Sequence, residues 1–317
     1  MKALITGISG FAGSYLAEFL INKGYEVFGT FYDKSTFSNI NNILNKIEIF
    51  KCDIRNYNDL KKIIEKVRPD EIYHLAAISF VPTSLKNPKL TFDTNLDGTL
   101  NLYQAIIELK IEPKILFVGS ADEYGSIKNS DLPIKENCSV RPMNPYSISK
   151  ASADFLSYFY FKNHHFNIVR VRPFNHIGPR QSPEFVCSSF AKQISEIERG
   201  LKETIIKVGN LEAKRDFTDV RDMIKAYWLA LQKGKFGEVY NVCSGNAVSI
   251  KEVLDRLLNM SKKKIKVIQD PKRLRPSDVS LLLGDSTKFK EKTEWRIEIS
   301  FGKTLQDILN YWRNKII

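Results

Sequence analysis

The sequence predicts an α/β fold: a doubly wound parallel sheet with a smaller, discontinuous C-terminal part. Three observations predict it. A short apolar run, Ala3 to Ile5, leads directly into a glycine turn, Gly7-Ile-Ser-Gly10-Phe11-Ala12-Gly13. Strand-like and helix-like patterns then alternate through the first half of the chain, which implies a parallel sheet with helices on both faces. The second half keeps short strands and helices but loses that alternation.

The glycine turn is followed by a helical pattern with apolar residues at Leu16, Phe19, Leu20 and Ile21, then Gly24 as a helix stop. A second strand covers Tyr25 to Phe31. Strand, glycine turn, helix and strand within about 30 residues form the βαβ unit of a Rossmann-type dinucleotide site. Glycines let backbone approach a pyrophosphate, and a helix N-terminus offers N–H groups to it.

Ile47 to Phe50 reads as a third strand, ending at Cys52-Asp53. Asn58 to Val67 reads as a helix, Glu71 to Ala77 as a fourth strand, and Leu90 to Leu109 as one long helix containing Asn95. Lys114 to Gly119 is the next strand, with Ser120 at its end. A helix carrying Tyr146 runs to about Asn163, and Asn167 to Arg172 is another strand. Ligands in such sheets bind at the carboxyl ends of the strands. Gly7, Asp53, Ala76, Ser120 and Pro173 all follow strands, so they are expected along one edge.

Arg172 to Arg180 reads as loop, Phe185 to Glu198 as helix, Ile205 to Val208 as strand and Asp219 to Leu231 as amphipathic helix. Glu238 to Val242 could rejoin the sheet. Ser249 to Asn259 is a helix with Ser249 as cap, and Thr304 to Trp312 a terminal helix. The expected division is a dinucleotide-binding part, 1–174 plus 215–243, and a substrate-binding part, 175–214 plus 244–317.

Apolar residues make up 43% of the 317, ample for a packed core. No apolar run reaches the roughly 18 residues of a membrane span, and with the first strand starting at once no secretory leader is expected. The four cysteines are scattered without metal-ligand spacing, and Cys52, Cys187 and Cys243 sit in apolar surroundings, so a reduced cytoplasmic setting and no metal site are expected. The net charge is +12. Much of it lies in lysine-rich stretches that read as solvated faces, and no helix carries the Arg/Lys stripe with aromatics of a nucleic-acid binder.

Tyr146 and Lys150 are four residues apart, on one face of a helix. An ammonium beside a phenol favours phenolate and makes the pair a proton donor or acceptor for an alcohol or carbonyl oxygen. The order Gly7-x-x-Gly-x-x-Gly13, His74-Leu75-Ala76-Ala77, Ser120 and Tyr146-x-x-x-Lys150 resembles the extended short-chain dehydrogenase/reductases from end to end. The resemblance implies that Tyr146 exchanges the proton at the reacting oxygen and that Ser120 bonds the same oxygen. It also implies that Lys150 binds the nicotinamide ribose and lowers the phenol pKa. Gly7, Gly10, Phe11, Ala12, Gly13, Asp33, Asp53, Ile54, Leu75, Ala76, Ala77, Asn95 and Pro173 would complete the cofactor site. Asp53 would contact adenine or serve as a turn cap. The end of the second strand leaves NADH and NADPH both open: Asp33 could hold the ribose, and Lys34 could hold a 2′-phosphate.

The runs from Arg172 to Pro179, Gly209 to Asp222 and Arg273 to Asp278 resemble the GDP-mannose branch of that family. By that resemblance Asn175, Asn210 and Arg215 would meet the sugar or diphosphate, and Arg275 and Asp278 the nucleotide. Dehydratases of the branch resemble Ser-Thr-x-Glu-x-Tyr-Gly after the catalytic strand, their Glu abstracting the sugar C5 proton. Here the run is Gly119-Ser120-Ala121-Asp122-Glu123-Tyr124-Gly125, with Asp122 at the Glu place. Asp stops about 1.5 Å short, one C–C bond, and Glu123 would point elsewhere. The expectation is therefore NAD(P)H-dependent reduction of a C4 keto group, GDP-6-deoxy-4-keto-D-mannose to GDP-D-rhamnose. The alternatives are 4,6-dehydration of GDP-mannose, a C4 epimerase or dehydrogenase on a related GDP-hexose or GDP-heptose, and a non-catalytic nucleotide-binding protein. The long helices and the set Phe155, Tyr158, Phe159 and Phe161 imply a homodimer.

Overall fold

The computed structural model describes residues 1–271 and 279–316. The order of strands and helices is β1 (Lys2–Thr6), α1 (Phe11–Asn22), β2 (Glu26–Phe31), β3 (Ile47–Lys51), α2 (Tyr57–Val67), β4 (Glu71–His74), α3 (Val81–Lys86), α4 (Pro88–Phe92), α5 (Gly98–Leu109), β5 (Lys114–Val118), α6 (Pro145–His164) and β6 (Asn167–Pro173). After these come β7 (Asn175–Ile177), α7 (Val186–Glu198), β8 (Ile205–Val208), β9 (Lys214–Asp219), α8 (Val220–Lys233), β10 (Val239–Val242), β11 (Ala247–Ser249), α9 (Ile250–Asn259), β12 (Lys266–Gln269), β13 (Leu281–Leu282), α10 (Thr287–Thr293) and α11 (Phe301–Lys315).

Seven of these strands form one parallel sheet in the order β10-β6-β5-β4-β1-β2-β3. The chain reverses direction across the sheet between β1 and β4, which opens a crevice at their carboxyl ends. Side chains alternate between the two faces. Ala3, Ile5, Leu116, Val169 and Val171 pack with α1, α8 and α10. Leu4, Ile115, Phe117 and Ile168 pack with α2, α5 and α6. Phe289 and Trp295, far along the chain, join the first of these cores. A separate core holds α7, α9 and α11 against β8 and β9.

Four expectations change. The long helix from Leu90 is interrupted by a π-helical turn, Asp93–Asp97. There the buried Asn95 amide bonds the Ile78 N–H at 2.8 Å and the Ile78 carbonyl at 3.0 Å. Such turns often mark functional positions. The fourth strand stops at His74 rather than Ala77, because the Leu75 and Ala76 amides turn to the Thr6 hydroxyl, both at 3.1 Å. The loop after Arg172 contains β7, which pairs in parallel with β9. Phe161 is accounted for within the chain: it packs on Gly237, where any Cβ would lie 2.1 Å from its ring. Among the described residues no helix is long and apolar enough to cross a membrane, and no acid, histidine and thiol cluster is built to hold a metal ion. Cys52, Cys187 and Cys243 are buried free thiols, as their surroundings suggest, and Cys138 is half-buried.

Candidate active site

The glycine turn is built by close backbone approach. Gly7 has φ +75°, and a Cβ there would lie 3.1 Å from the Ala76 backbone. A Cβ on Gly13 would lie 2.3 Å from the Gly7 carbonyl oxygen. Gly10 precedes α1 and offers no capping side chain, and the first turn of α1 holds no acid. The amides at this end are left for an outside anion, so the turn suits a dinucleotide diphosphate. Phe11 and Ala12 open that helix, and Phe11 stacks on His176, with ring centroids 5.8 Å apart. Thr6 ties β1 to the Leu75–Ala76 turn, closing the floor of the crevice.

Beneath it, the His74 ring is held by Thr6 Oγ1 at 2.9 Å and Thr99 Oγ1 at 3.0 Å. Burial, helped by the Lys150 charge, pushes its pKa down to about 3 from 6.5. Between those values the unfolded chain binds a proton that the folded chain refuses, so stability falls as pH drops below 6.5. At pH 5 this group alone removes about 2 kcal/mol. His74→Gln lacks the titration. Urea unfolding from pH 7.5 to 5 is expected to cost the natural protein that much more than the variant, and parallel losses would refute the assignment.

The catalytic candidates converge beside β5. Asn144 caps α6 by accepting the Ser147 N–H at 2.9 Å, and Pro145 takes the first helical position. This start aims Tyr146 and Lys150 inward; both are buried. Ser120 faces the Tyr146 phenol, and Asp122 is close enough for its charge to act on that phenol. Lys150 Nζ sits 5.0 Å from the centre of the Phe117 ring. Ser149, on the same helix, accepts the Asn95 amide at 2.9 Å, which links the π-helical turn to α6.

The electrostatics correct one expectation. The protein environment raises the Tyr146 pKa instead of lowering it, first through burial and then through the Asp122 charge. Burial lowers that of Lys150, against the pull of Glu123 and Asp154. Asp122 is raised by burial, opposed by Arg215.

The other candidates divide. Asp53 accepts the Arg55 N–H at 3.0 Å and pairs with its guanidinium at 2.5 Å, so it already serves as a turn cap. The neighbouring Ile54 is buried. Asp33 is exposed at the end of β2, its carboxylate on the Ser35 N–H at 2.7 Å. Leu75, Ala76 and Ala77 line the turn after β4, and Pro173 ends β6. Asn175 is exposed on β7. Asn210 accepts the Glu212 N–H at 3.0 Å, which shapes its own turn. Arg215 donates to the Val279 carbonyl at 2.6 Å. Arg275 and Asp278 lie outside the described residues.

Sequence reasoning missed the ion pairs beneath the site. Arg172 donates to Glu123 at 2.9 Å and to Asp154 at 2.5 Å; Arg170 donates to Asp154 at 2.9 Å. The signal was arginine at alternate positions of a strand read as central. It also missed Arg180, which bonds Glu18 at 2.8 Å and stacks 4.5 Å from the Tyr15 ring centre, strapping the loop after β7 to α1.

The profile of the family described as GDP-mannose 4,6 dehydratase matches residues 4–308. The chain is 36% identical over 248 residues to the GDP-6-deoxy-D-mannose reductase of Pseudomonas aeruginosa, covering 78% of this chain and 82% of that protein. It is 31% identical over 341 residues to the GDP-mannose 4,6 dehydratase of Dictyostelium discoideum, covering 97% and 94%. The solved structure of RMD from Pseudomonas aeruginosa complexed with NADPH matches it with a TM-score of 0.88 at 30% identity, over 99% of each chain. The chain thus belongs to the GDP-mannose 4,6-dehydratase family of extended short-chain dehydrogenase/reductases, enzymes that modify GDP-linked sugars.

Proposed function

We propose that this enzyme uses NADH or NADPH to reduce the C4 keto group of GDP-6-deoxy-4-keto-D-mannose, giving GDP-D-rhamnose. The observation that carries this reading is the carboxylate beside Tyr146. Elimination needs a base that reaches the sugar C5 proton, and Asp122 is one methylene shorter than the glutamate that the dehydratases resemble there. A shortfall of that size is worth about a hundredfold in rate.

The turn from Gly7 to Gly13 would hold the dinucleotide, which when bound would supply hydride. The chain supplies the rest. Ser120 and Tyr146 bond the C4 oxygen, and Tyr146 releases its proton to that oxygen as charge develops there. Lys150 holds the nicotinamide ribose and places positive charge near the phenolate left behind. Leu75, Ala76, Ala77, Asn95 and Pro173 would wall the cofactor, and Asp33 and Asp53 would lie toward its adenosine. Asn175, Asn210 and Arg215, with Arg275 and Asp278, hold the GDP-sugar, the guanidiniums suiting diphosphate oxygens.

By the two-part division expected from the sequence, the parallel sheet would carry the cofactor and the α7–α9–α11 core the sugar nucleotide; Phe289 and Trp295 of the second part nevertheless pack on the sheet, and β9, assigned to the first, pairs with β7. Phe155, Tyr158 and Phe159 are 57%, 41% and 48% exposed on α6. They fit the interface of a homodimer, which sedimentation velocity measures directly. A nucleotide substrate and buried free thiols suit the cytoplasm.

The dehydratase is the second reading, favoured by relatives of similar identity that span nearly the whole chain. The products separate the two. With GDP-6-deoxy-4-keto-D-mannose, the enzyme is expected to consume NAD(P)H, seen as falling absorbance at 340 nm. With GDP-mannose it is expected to release no 6-deoxy-4-keto product, and formation of that product sinks a purely reductive role.

A further inference from the structure

Glu123 lies next to the catalytic residues yet turns away from the crevice. Its Oε1 accepts the Ser120 N–H at 2.8 Å, and its Oε2 accepts Arg172 Nε at 2.9 Å. Arg172 also grips Asp154, which is one helical turn beyond Lys150 on α6. One guanidinium therefore joins the turn that carries Ser120 to the helix that carries Tyr146 and Lys150. Glu123, Asp154, Arg170 and Arg172 are all buried. The backbone makes room for this arrangement: a Cβ on Gly119 would lie 2.4 Å from Glu123 Oε1. Burying so many charges costs stability, and well-packed apolar residues could brace strand against helix as well or better. A site that needs a buried ammonium does require nearby negative charge.

We propose that Glu123 is a positioning residue: it fixes the Ser120 turn through the Ser120 N–H and Arg172, and so places its carboxylate in the buried cluster behind Lys150. This rests on the reading of Ser120, Tyr146 and Lys150 as the reacting set. The charged and titratable groups around Lys150 come from every neighbouring element. Glu123 lies on the turn after β5, Tyr146 and Asp154 one turn to either side of Lys150 on α6, and His74 on β4, with Arg170 and Arg172 behind them on β6. His74 stays neutral above pH 5, and the two arginines are ion-paired with the same two acids. The carboxylates of Glu123 and Asp154 are therefore what favours the ammonium, and burial works against it.

Two variants separate charge from geometry. Glu123→Gln can still accept the Ser120 N–H but carries no charge; Glu123→Asp keeps the charge but is too short to reach. Lys150 ionisation is followed by NMR of 13C-labelled lysine, its signal assigned by loss in Lys150→Met. In Glu123→Gln the midpoint is expected to fall by about one pH unit or more, and the alkaline limb of kcat/KM to move with it. In Glu123→Asp the midpoint holds while kcat falls about tenfold or more through the displaced Ser120. An unmoved midpoint in Glu123→Gln overturns the proposal, and so does a Glu123→Asp enzyme with unchanged kcat. If the natural enzyme does not turn over the keto sugar, the functional reading fails on its own. The NMR midpoint still decides the charge role, and should Glu123→Gln not fold, Arg172→Lys, which keeps every charge but cannot span Glu123 and Asp154 as the guanidinium does, is expected to lower kcat with the Lys150 midpoint unmoved; an unchanged kcat overturns the positioning role.

Discussion

Tyr146→Phe is expected to lower kcat by about 10³-fold, the usual worth of a positioned proton donor, while leaving GDP and NAD(P)H affinity within about twofold. The ring is buried beside Ser120, Asp122 and Tyr227, so phenylalanine keeps the packing and loses only the hydroxyl. Stopped-flow reduction measures the rate and fluorescence titration the affinities. Activity within about tenfold of the natural enzyme would show that the proton comes from elsewhere.

Arg172→Met is expected to be the most destabilising single change near the site. It leaves Glu123 without a cation and Asp154 with Arg170 alone, in a place where the carboxylates are almost wholly buried. Breaking such a pair costs about 3–5 kcal/mol, which lowers the thermal midpoint on the order of 10 °C. Burial already raises the Glu123 pKa, Asp154 raises it further, and Arg172 opposes both. Adding Glu123→Gln to Arg172→Met should therefore recover part of the loss. Calorimetry of the two single variants and the double variant measures the coupling. A single variant within about 1 kcal/mol of the natural protein would mean that these carboxylates are neutral in the fold.

What the sequence revealed was local. Glycine spacing, the strand before it, and a four-residue interval on a well-capped helix all lie within one element or its turn. They located Gly7, Tyr146 and Lys150, and the alternation of strands and helices located the sheet. What stayed hidden depends on partners distant in the chain. β7 is three residues long and exists because β9, some forty residues later, pairs with it. Arg172 meets acids 18 and 49 residues away, and although its place on a central strand marks it as buried, no local pattern names those partners. The direction of the Tyr146 shift failed for a related reason. Spacing announced the neighbouring lysine, but the dominant effect is burial by the whole fold, together with an aspartate from another turn.

The room that Gly119 leaves for the Glu123 carboxylate ties two positions together across generations of the gene. With glutamate at 123, any side chain at 119 collides with a carboxylate oxygen and with the Val171 carbonyl, 3.0 Å away. A lineage that shortened residue 123 would shed the tighter of these two collisions, and position 119 could then begin to drift. The reverse order is closed, because a bulkier residue 119 would arrive while its obstacle was still in place. Within the family, glutamate at the second position is thus expected only where glycine holds the first.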